Sequence, residues 1–206
     1  YETNIFGTIN LYDIARNIKS IKAIINVTSD KCYEESTSKK SFKETDLLGG
    51  KDPYSSSKAS SEIITRAYYN SFLKKRIGVA TARAGNVIGG GDWSDNRLIP
   101  DLVKSIKANK IFQIRYPNAV RPWQHVLDPI SGYVSLMEKL YKHPTKFSSA
   151  WNFGPNNSSV VNVKGIIEKF TLIWGKKLRI GVVPKKRLYE SNYLSLNVSK
   201  SKEELK

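Results

Sequence analysis

Cysteine occurs once in the 206 residues, at Cys32, so no disulfide can close within the chain. Histidine occurs only at His125 and His143, and with a single thiol these make no metal-ligand spacing; no metal site is expected. Long apolar runs are missing as well. The longest resemble Ala23–Val27 and Ile180–Val183, whereas a membrane helix needs about 20 consecutive apolar residues. The opening Tyr1-Glu2-Thr3-Asn4 carries neither the basic region nor the apolar core of a secretory leader, and a reducing, cytoplasmic setting is expected. No G-x-G-x-x-G turn, repeat or low-complexity tract occurs. Acidic residues are scarce, 18 against 34 Lys and Arg, leaving a net charge of +16. The cations are scattered, at Lys39-Lys40, Lys74-Lys75-Arg76, Lys176-Lys177 and Lys185-Lys186-Arg187, next to expected loops and helix ends. That pattern reads as solvated surface, so nucleic-acid binding is not expected, while the excess charge suits small anionic substrates.

What is present alternates in a regular order. Residues 4–18 read as a helix with Ile5, Ile9, Tyr12 and Ala15 on one face. Residues 22–28 read as a buried β-branched strand. A polar loop of about 20 residues follows, long enough to suggest function. Residues 54–73 read as a helix with Ala59, Ile63, Ala67 and Tyr68 along one side, and residues 77–83 as the next strand. Gly89-Gly90-Gly91 breaks the chain before a helix opened by Pro100. Asp128-Pro129 is the expected cap and first turn of a helix ending near Tyr141. Asn162 should cap a further helix that stops at Gly175, and residues 199–206 read as helical. Helix, strand, long loop, helix, strand argues for an α/β doubly wound sheet.

The stretch "DPYSSSK", residues 52–58, sets Tyr54 four positions before Lys58 at a helix start. On a helix the two share a face, as a proton-transfer pair or merely as two surface side chains one turn apart. In the first case the ammonium stabilises the phenolate, which can take a proton from an alcohol while a hydride leaves its carbon. The ammonium can also donate to the hydroxyls of a nicotinamide ribose. Such a pair needs a hydroxyl at the C-terminal end of a parallel strand, where ligands of open α/β sheets collect. "NVTSDKCY", residues 26–33, supplies it: a buried strand ends in Thr28-Ser29, followed at once by Asp30 and Lys31.

On these residues the chain resembles the extended short-chain dehydrogenase/reductases, and within them the nucleotide-sugar 4,6-dehydratases. "YETNIFGTINLYDIAR", "VTSDKCY" and "DPYSSSKASSE" follow at the family's spacing. "ARAGNVIGGGDWSDNRLIPD" and "VRPWQHVLDPISGY" are most similar to the members that act on CDP-sugars, and "WNFGP" resembles a substrate-domain element. The resemblance implies a partial Rossmann-like parallel sheet, with residues 1–85 belonging to the NAD-binding domain. Residues 86–206 would form mainly a smaller α/β region for the nucleotide sugar, interleaved with that domain. It also implies a piece of a longer protein, without the glycine-rich phosphate loop and a short C-terminal section. NAD is the implied cofactor, CDP-glucose the implied substrate, and a homodimer through the helices at 4–18 and 54–73 the implied assembly.

The resemblance assigns roles residue by residue. Tyr54 would remove the 4-hydroxyl proton, and Lys58 would lower its pKa and hold the ribose. Ser29 would hydrogen-bond the same hydroxyl, with Thr28 as its rival. Asp30 would protonate the departing 6-hydroxyl, unless it is only a turn-forming Asp. Lys31 stands where many relatives have a glutamate base; it would act as a base of depressed pKa or stabilise the enolate. Thr3 would contact the cofactor, with Asn4 capping or bracing the helix. Asn86 and Arg121 would bind the diphosphate, Leu98 and Ile99 the base, and Asn152 the substrate. The bland readings are a loop Asn, a surface salt bridge and helix core respectively. Trp93 and Trp123 shape the pocket or pack the core, and His125 is structural. An epimerase or reductase of the same fold and a catalytically silent binding module are the alternative functions.

Overall fold

The computed structural model describes residues 1–35, 39–74, 76–156, 160–175, 178–183 and 191–205. Lys75, Lys176, Lys177, Lys185, Lys186, Arg187 and Lys206, named above, lie outside the described residues. A π-helical stretch, Glu2–Phe6, leads into α1 (Gly7–Ala15); β1 is Ala23–Val27, and α2 is Pro53–Tyr68, continued by a π-helical turn Tyr69–Leu73. Then come β2 (Gly78–Ala84), β3 (Val87–Ile88), α3 (Leu98–Lys107), β4 (Phe112–Ile114), β5 (Val120–Arg121) and β6 (Gln124–His125). The chain continues through α4 (Leu127–Lys142), α5 (Pro144–Phe147), β7 (Ala150–Phe153), β8 (Val161–Asn162), α6 (Val163–Trp174), β9 (Ile180–Val182) and α7 (Ser199–Glu204).

β1, β2 and β7 make a parallel sheet in that order, with Ala23 opposite Gly78, Val27 opposite Ala82 and Ala84 opposite Phe153. Parallel strands need crossover helices, and these cover both faces. On one face Leu136 and Leu140 of α4 pack with Phe147 and Trp151 against Ala80 and Ala82. On the other, Tyr12 of α1 and Leu73 pack against Val79 and Ile24. The sheet is therefore doubly wound. A separate cluster joins α3, β4 and α6 through Leu102, Phe112, Ile114 and Ile167, and β4 pairs with β9 in parallel.

Local chemistry explains most boundaries. Asn162 accepts from Gly165 N at 2.8 Å and caps α6, which stops where Gly175 takes φ 73°, as the sequence predicts. Two starts differ. α3 begins at Leu98, two residues before Pro100, because the first turn of a helix has no use for proline's missing N–H. α4 begins at Leu127, so Asp128 lies within its first turn, where a carboxylate suits the helix dipole, and is not the cap.

The buried face of α2 also differs from the apolar one expected. Ser55, Ser57, Ala59, Ser61, Glu62 and Thr65 are buried, while Ile63 and Ala67 are exposed. Each polar member finds a bond: Ser61 Oγ and Thr65 Oγ1 accept from Asn26 Nδ2 at 3.0 and 2.8 Å, and Glu62 pairs with Arg83. Satisfied in this way, polar groups can face a sheet.

Candidate active site

The site begins where β1 runs out. Thr28 N makes the last ladder bond, to Ala82 O at 2.9 Å. Ser29 then caps a single 3₁₀ turn, Asp30–Cys32: its Oγ accepts from Lys31 N at 3.2 Å and donates to Asp30 Oδ1 at 3.1 Å. The turn points the carboxyl of Asp30 inward, and Asp30 Oδ2 is buried without a hydrogen-bond partner among the described residues. Burial pushes this carboxyl up to about 6, against the Ser29 hydrogen bond and the nearby charges of Lys31 and Arg121. Gly85 makes room for it. A Cβ there would stand 3.1 Å from Asp30 Oδ2 and 2.3 Å from Pro122 Cγ, so this close approach admits no side chain.

The partner helix is set by its cap. Asp52 accepts from Ser55 N at 3.0 Å and from Ser55 Oγ at 2.5 Å, and Pro53 occupies the first turn. α2 thereby carries Tyr54, Lys58 and Glu62 at successive i, i+4 positions on one face. Tyr54 is 49% exposed and reaches open space. Lys58 is half-buried, with Nζ 3.4 Å from Val27 O, two residues before Ser29. Lost hydration holds its ammonium below the usual lysine range, an effect that Cys32 and Glu62 oppose. The two hydroxyls at the strand end are unequal: Thr28 Oγ1 is committed to Glu62, whereas Ser29 Oγ stays in the turn beside Asp30.

The remaining residues divide. Thr3 is exposed on the π-helical lead-in, and Asn4 beside it braces the two helices, Nδ2 donating to Ser57 Oγ at 3.0 Å. Asn86 follows β2, and its carbonyl accepts from Gln124 N at 3.0 Å. Arg121 is no surface salt bridge. It is buried, donates to Val120 O and Ser191 O at 2.7 Å each, and brings its charge up to Asp30. Asn152 lies in the core. It is fully buried, its Oδ1 accepting from Tyr33 Oη at 2.7 Å and its Nδ2 donating to Phe42 O and Asn197 O. Leu98 and Ile99 lie in the first turn of α3, packed on the Leu102 cluster. Trp93 is exposed, with Lys107 Nζ 5.1 Å from its ring centre, and Trp123 Nε1 donates to Val161 O at 3.1 Å. His125 accepts from Leu127 N at the start of α4, a structural task. Among the described residues no group of His, Cys, Asp and Glu could hold a metal, and no helix is long and apolar enough to cross a membrane.

Sequence reasoning missed the buried ion pair beneath the site. Arg83 Nε and Nη2 meet Glu62 Oε1 and Oε2 at 2.9 and 2.7 Å, with both side chains under 5% exposed. The available signal was a glutamate eight residues after Tyr54 on the same helix face; nothing in the sequence joins it to an arginine 21 positions on.

A doubly wound parallel sheet, a hydroxyl-acid turn at a strand end and a Tyr-x-x-x-Lys helix beside it define the class of short-chain dehydrogenase/reductases. The family model described as GDP-mannose 4,6 dehydratase matches residues 1–205, and the chain belongs to that family. It is 41% identical over 211 residues to the CDP-glucose 4,6-dehydratase of Salmonella typhimurium, covering 100% of this chain and 59% of that protein. The dTDP-glucose 4,6-dehydratase of Bacillus anthracis, solved in complex with NAD, superposes with a TM-score of 0.81 at 26% identity, covering 99% of this chain and 61% of that one. A UDP-glucuronic acid 4-epimerase from Bacillus cereus, with a TM-score of 0.84 at 22% identity, shares the fold over 100% of this chain and 62% of its own. The chain thus spans about three-fifths of each of these relatives.

Proposed function

We propose that the protein is a lyase that converts CDP-glucose to CDP-4-keto-6-deoxyglucose with NAD as its resident cofactor. The observation that carries this reading is Asp30: a buried carboxyl, raised to about 6 and with one oxygen unpartnered among the described residues, in the turn that packs on α2. A carboxyl that binds its proton more tightly than an ordinary aspartate is what loss of a hydroxyl asks of its acid, and an epimerase has no need of one. The 41% identity to a CDP-glucose 4,6-dehydratase supports the same choice.

The residues present fit a nicotinamide cofactor. Among the described residues Lys58 has one hydrogen bond, the long one to Val27 O, so its ammonium keeps donors for ribose hydroxyls. Thr3, exposed on the lead-in to α1, is assigned to the same cofactor. When bound, NAD would supply the hydride acceptor for C4 and the hydride donor for C6. Tyr54 Oη takes the proton from the 4-hydroxyl, and Ser29 Oγ holds that hydroxyl in line. Asp30 then gives its proton to the departing 6-hydroxyl. Lys31, next to Asp30 in the same turn, is assigned to C5, either taking the proton lost there as the base or stabilising the enolate that its loss leaves. Asn86 and Arg121 are assigned to the diphosphate, and the first turn of α3 at Leu98 and Ile99 to the base. We assign the exposed apolar side chains of α1 and α2, among them Leu11, Ile14 and Ile63, to a homodimer face. The lone thiol of Cys32, buried and free, suits the reducing cytoplasm.

Incubating the intact protein with NAD and CDP-glucose should yield a 4-keto-6-deoxy product. An epimerised or merely reduced sugar would replace this reading with the epimerase or reductase alternative, and binding without conversion would mark a silent module.

A further inference from the structure

Beneath the catalytic face lies a polar cluster that the proposed chemistry does not use. Both oxygens of Glu62 are engaged. Oε1 accepts from Thr28 Oγ1 and from Arg83 Nε, and Oε2 accepts from Thr81 Oγ1 at 2.7 Å and from Arg83 Nη2 at 2.7 Å. Arg83 continues outward, its Nη1 donating to Tyr33 Oη at 2.8 Å and to Glu44 O at 3.1 Å, while its guanidinium lies 4.8 Å from the centre of the Tyr33 ring. Tyr33 passes the chain to Asn152, which holds Phe42 O and Asn197 O. Helix α2, the ends of β1 and β2, the long loop and β7 are thus pinned to one buried charge pair.

A buried ion pair contributes little net stability compared with apolar packing, but it demands one geometry. Here that geometry has a direct reading at the active site. Glu62 is one turn beyond Lys58 and two beyond Tyr54 on the same face, and Thr28 immediately precedes Ser29. Apolar packing would tolerate a small slide or roll of α2. Four hydrogen bonds to one carboxylate do not.

We propose that Glu62 and Arg83, acting through Thr28, are positioning residues that fix Tyr54 and Lys58 on α2 against Ser29 and Asp30 at the end of β1. The inference rests on the dehydratase reading for its kinetic readout only. Glu62 and Arg83 are both under 5% exposed, and both oxygens of Glu62 are taken by protein donors, so their effect falls on alignment and not on affinity; an error of about 1 Å at a reacting centre can cost up to 100-fold in rate.

The test uses Thr28→Val, Glu62→Gln and the double variant in the intact protein, assayed well below each melting temperature. Thr28→Val removes one hydroxyl, keeps shape and leaves the Arg83 pair in place. It should lower kcat by about 10- to 100-fold with KM for CDP-glucose within about twofold. Thr28→Ser, which keeps the hydroxyl, should restore the parent rate. If Thr28 acts through Glu62, the double variant should lose no more than Glu62→Gln alone; multiplied losses would mean that Thr28 meets substrate directly, and would overturn the proposal. Unchanged kcat in Thr28→Val and Glu62→Gln, with lowered melting temperatures, would reduce the pair to a structural brace. Amide hydrogen exchange supplies a readout that needs no turnover. Exchange at residues 53–60 and 28–32 should rise in Thr28→Val while the melting temperature stays near the parent's, and unchanged exchange there overturns the inference. If the parent fails to convert CDP-glucose, the functional reading falls, and exchange still decides the positioning role.

Discussion

Asp30 is where the folding of the chain and its proposed chemistry meet in one group. Its carboxyl is raised to about 6, so the folded protein binds this proton more tightly than the unfolded chain does, whose value is near 3.8. The sign follows from that. Below pH 3.8 the group costs nothing; between 3.8 and 6 the cost of ionising it in place grows; above 6 it is constant at roughly 3 kcal/mol. Asp30→Asn carries no charge at any pH. It should therefore melt higher than the parent at pH 7.5, with the advantage fading towards pH 4, as thermal unfolding of the intact protein would show. The same variant cannot supply the acid, and a general acid contributes about 10²- to 10⁴-fold. Product formation should fall by that factor while C4 oxidation proceeds, so stopped-flow mixing with CDP-glucose should show absorbance building at the reduced-nicotinamide band. Tyr54→Phe lacks the proton acceptor, and no such absorbance should appear. Parent-rate product from Asp30→Asn would make Asp30 a turn residue and remove the main support for a dehydratase.

Among the elements, α2 has two working faces. The inner one is polar, with Ser55, Ser61, Glu62 and Thr65 bonded to neighbours. The outer one leaves Ile63 at 48% exposure, and α1 beside it leaves Leu11 at 52% and Ile14 at 61%. Apolar side chains on two neighbouring helices are what an isologous four-helix contact would bury. Leu11→Glu combined with Ile63→Glu should convert the assigned homodimer into a monomer, read by sedimentation velocity, with little change in melting of the separated subunit. A dimer that survives both charges would place the interface elsewhere. Element ends followed local rules where a single residue governs them, as Asn162 and Gly175 do for α6. They departed where proline was read as a start signal, since the helices at Leu98 and Leu127 begin before Pro100 and Pro129.

For the whole molecule, the residues assigned to the substrate come from parts far apart in the chain. Arg121 is buried beside Asp30 and Asn86 follows β2, whereas Leu98 and Ile99 turn their side chains into the Leu102 cluster. On the proposed function, base selection would rest on backbone groups and pocket size more than on side-chain readout. CDP-glucose should be converted faster than the dTDP and UDP sugars in direct competition, and faster turnover of the dTDP sugar would refute the assignment. The alternating order of elements, the parallel sheet and the Tyr54–Lys58 face were legible without coordinates, because each depends on periodicity, capping or neighbours within a few residues; the turn at Ser29–Asp30 was only the alternative reading of Asp30. The buried bonds of Asn152 were not foreseen, α2 looked apolar inside and is polar, and the Glu62–Arg83 pair gave no sign of itself. Those outcomes depend on which hydrogen-bond partners arrive from 20 to 120 positions away. A side chain's fate is set by desolvation and partner geometry, and only the assembled fold supplies both.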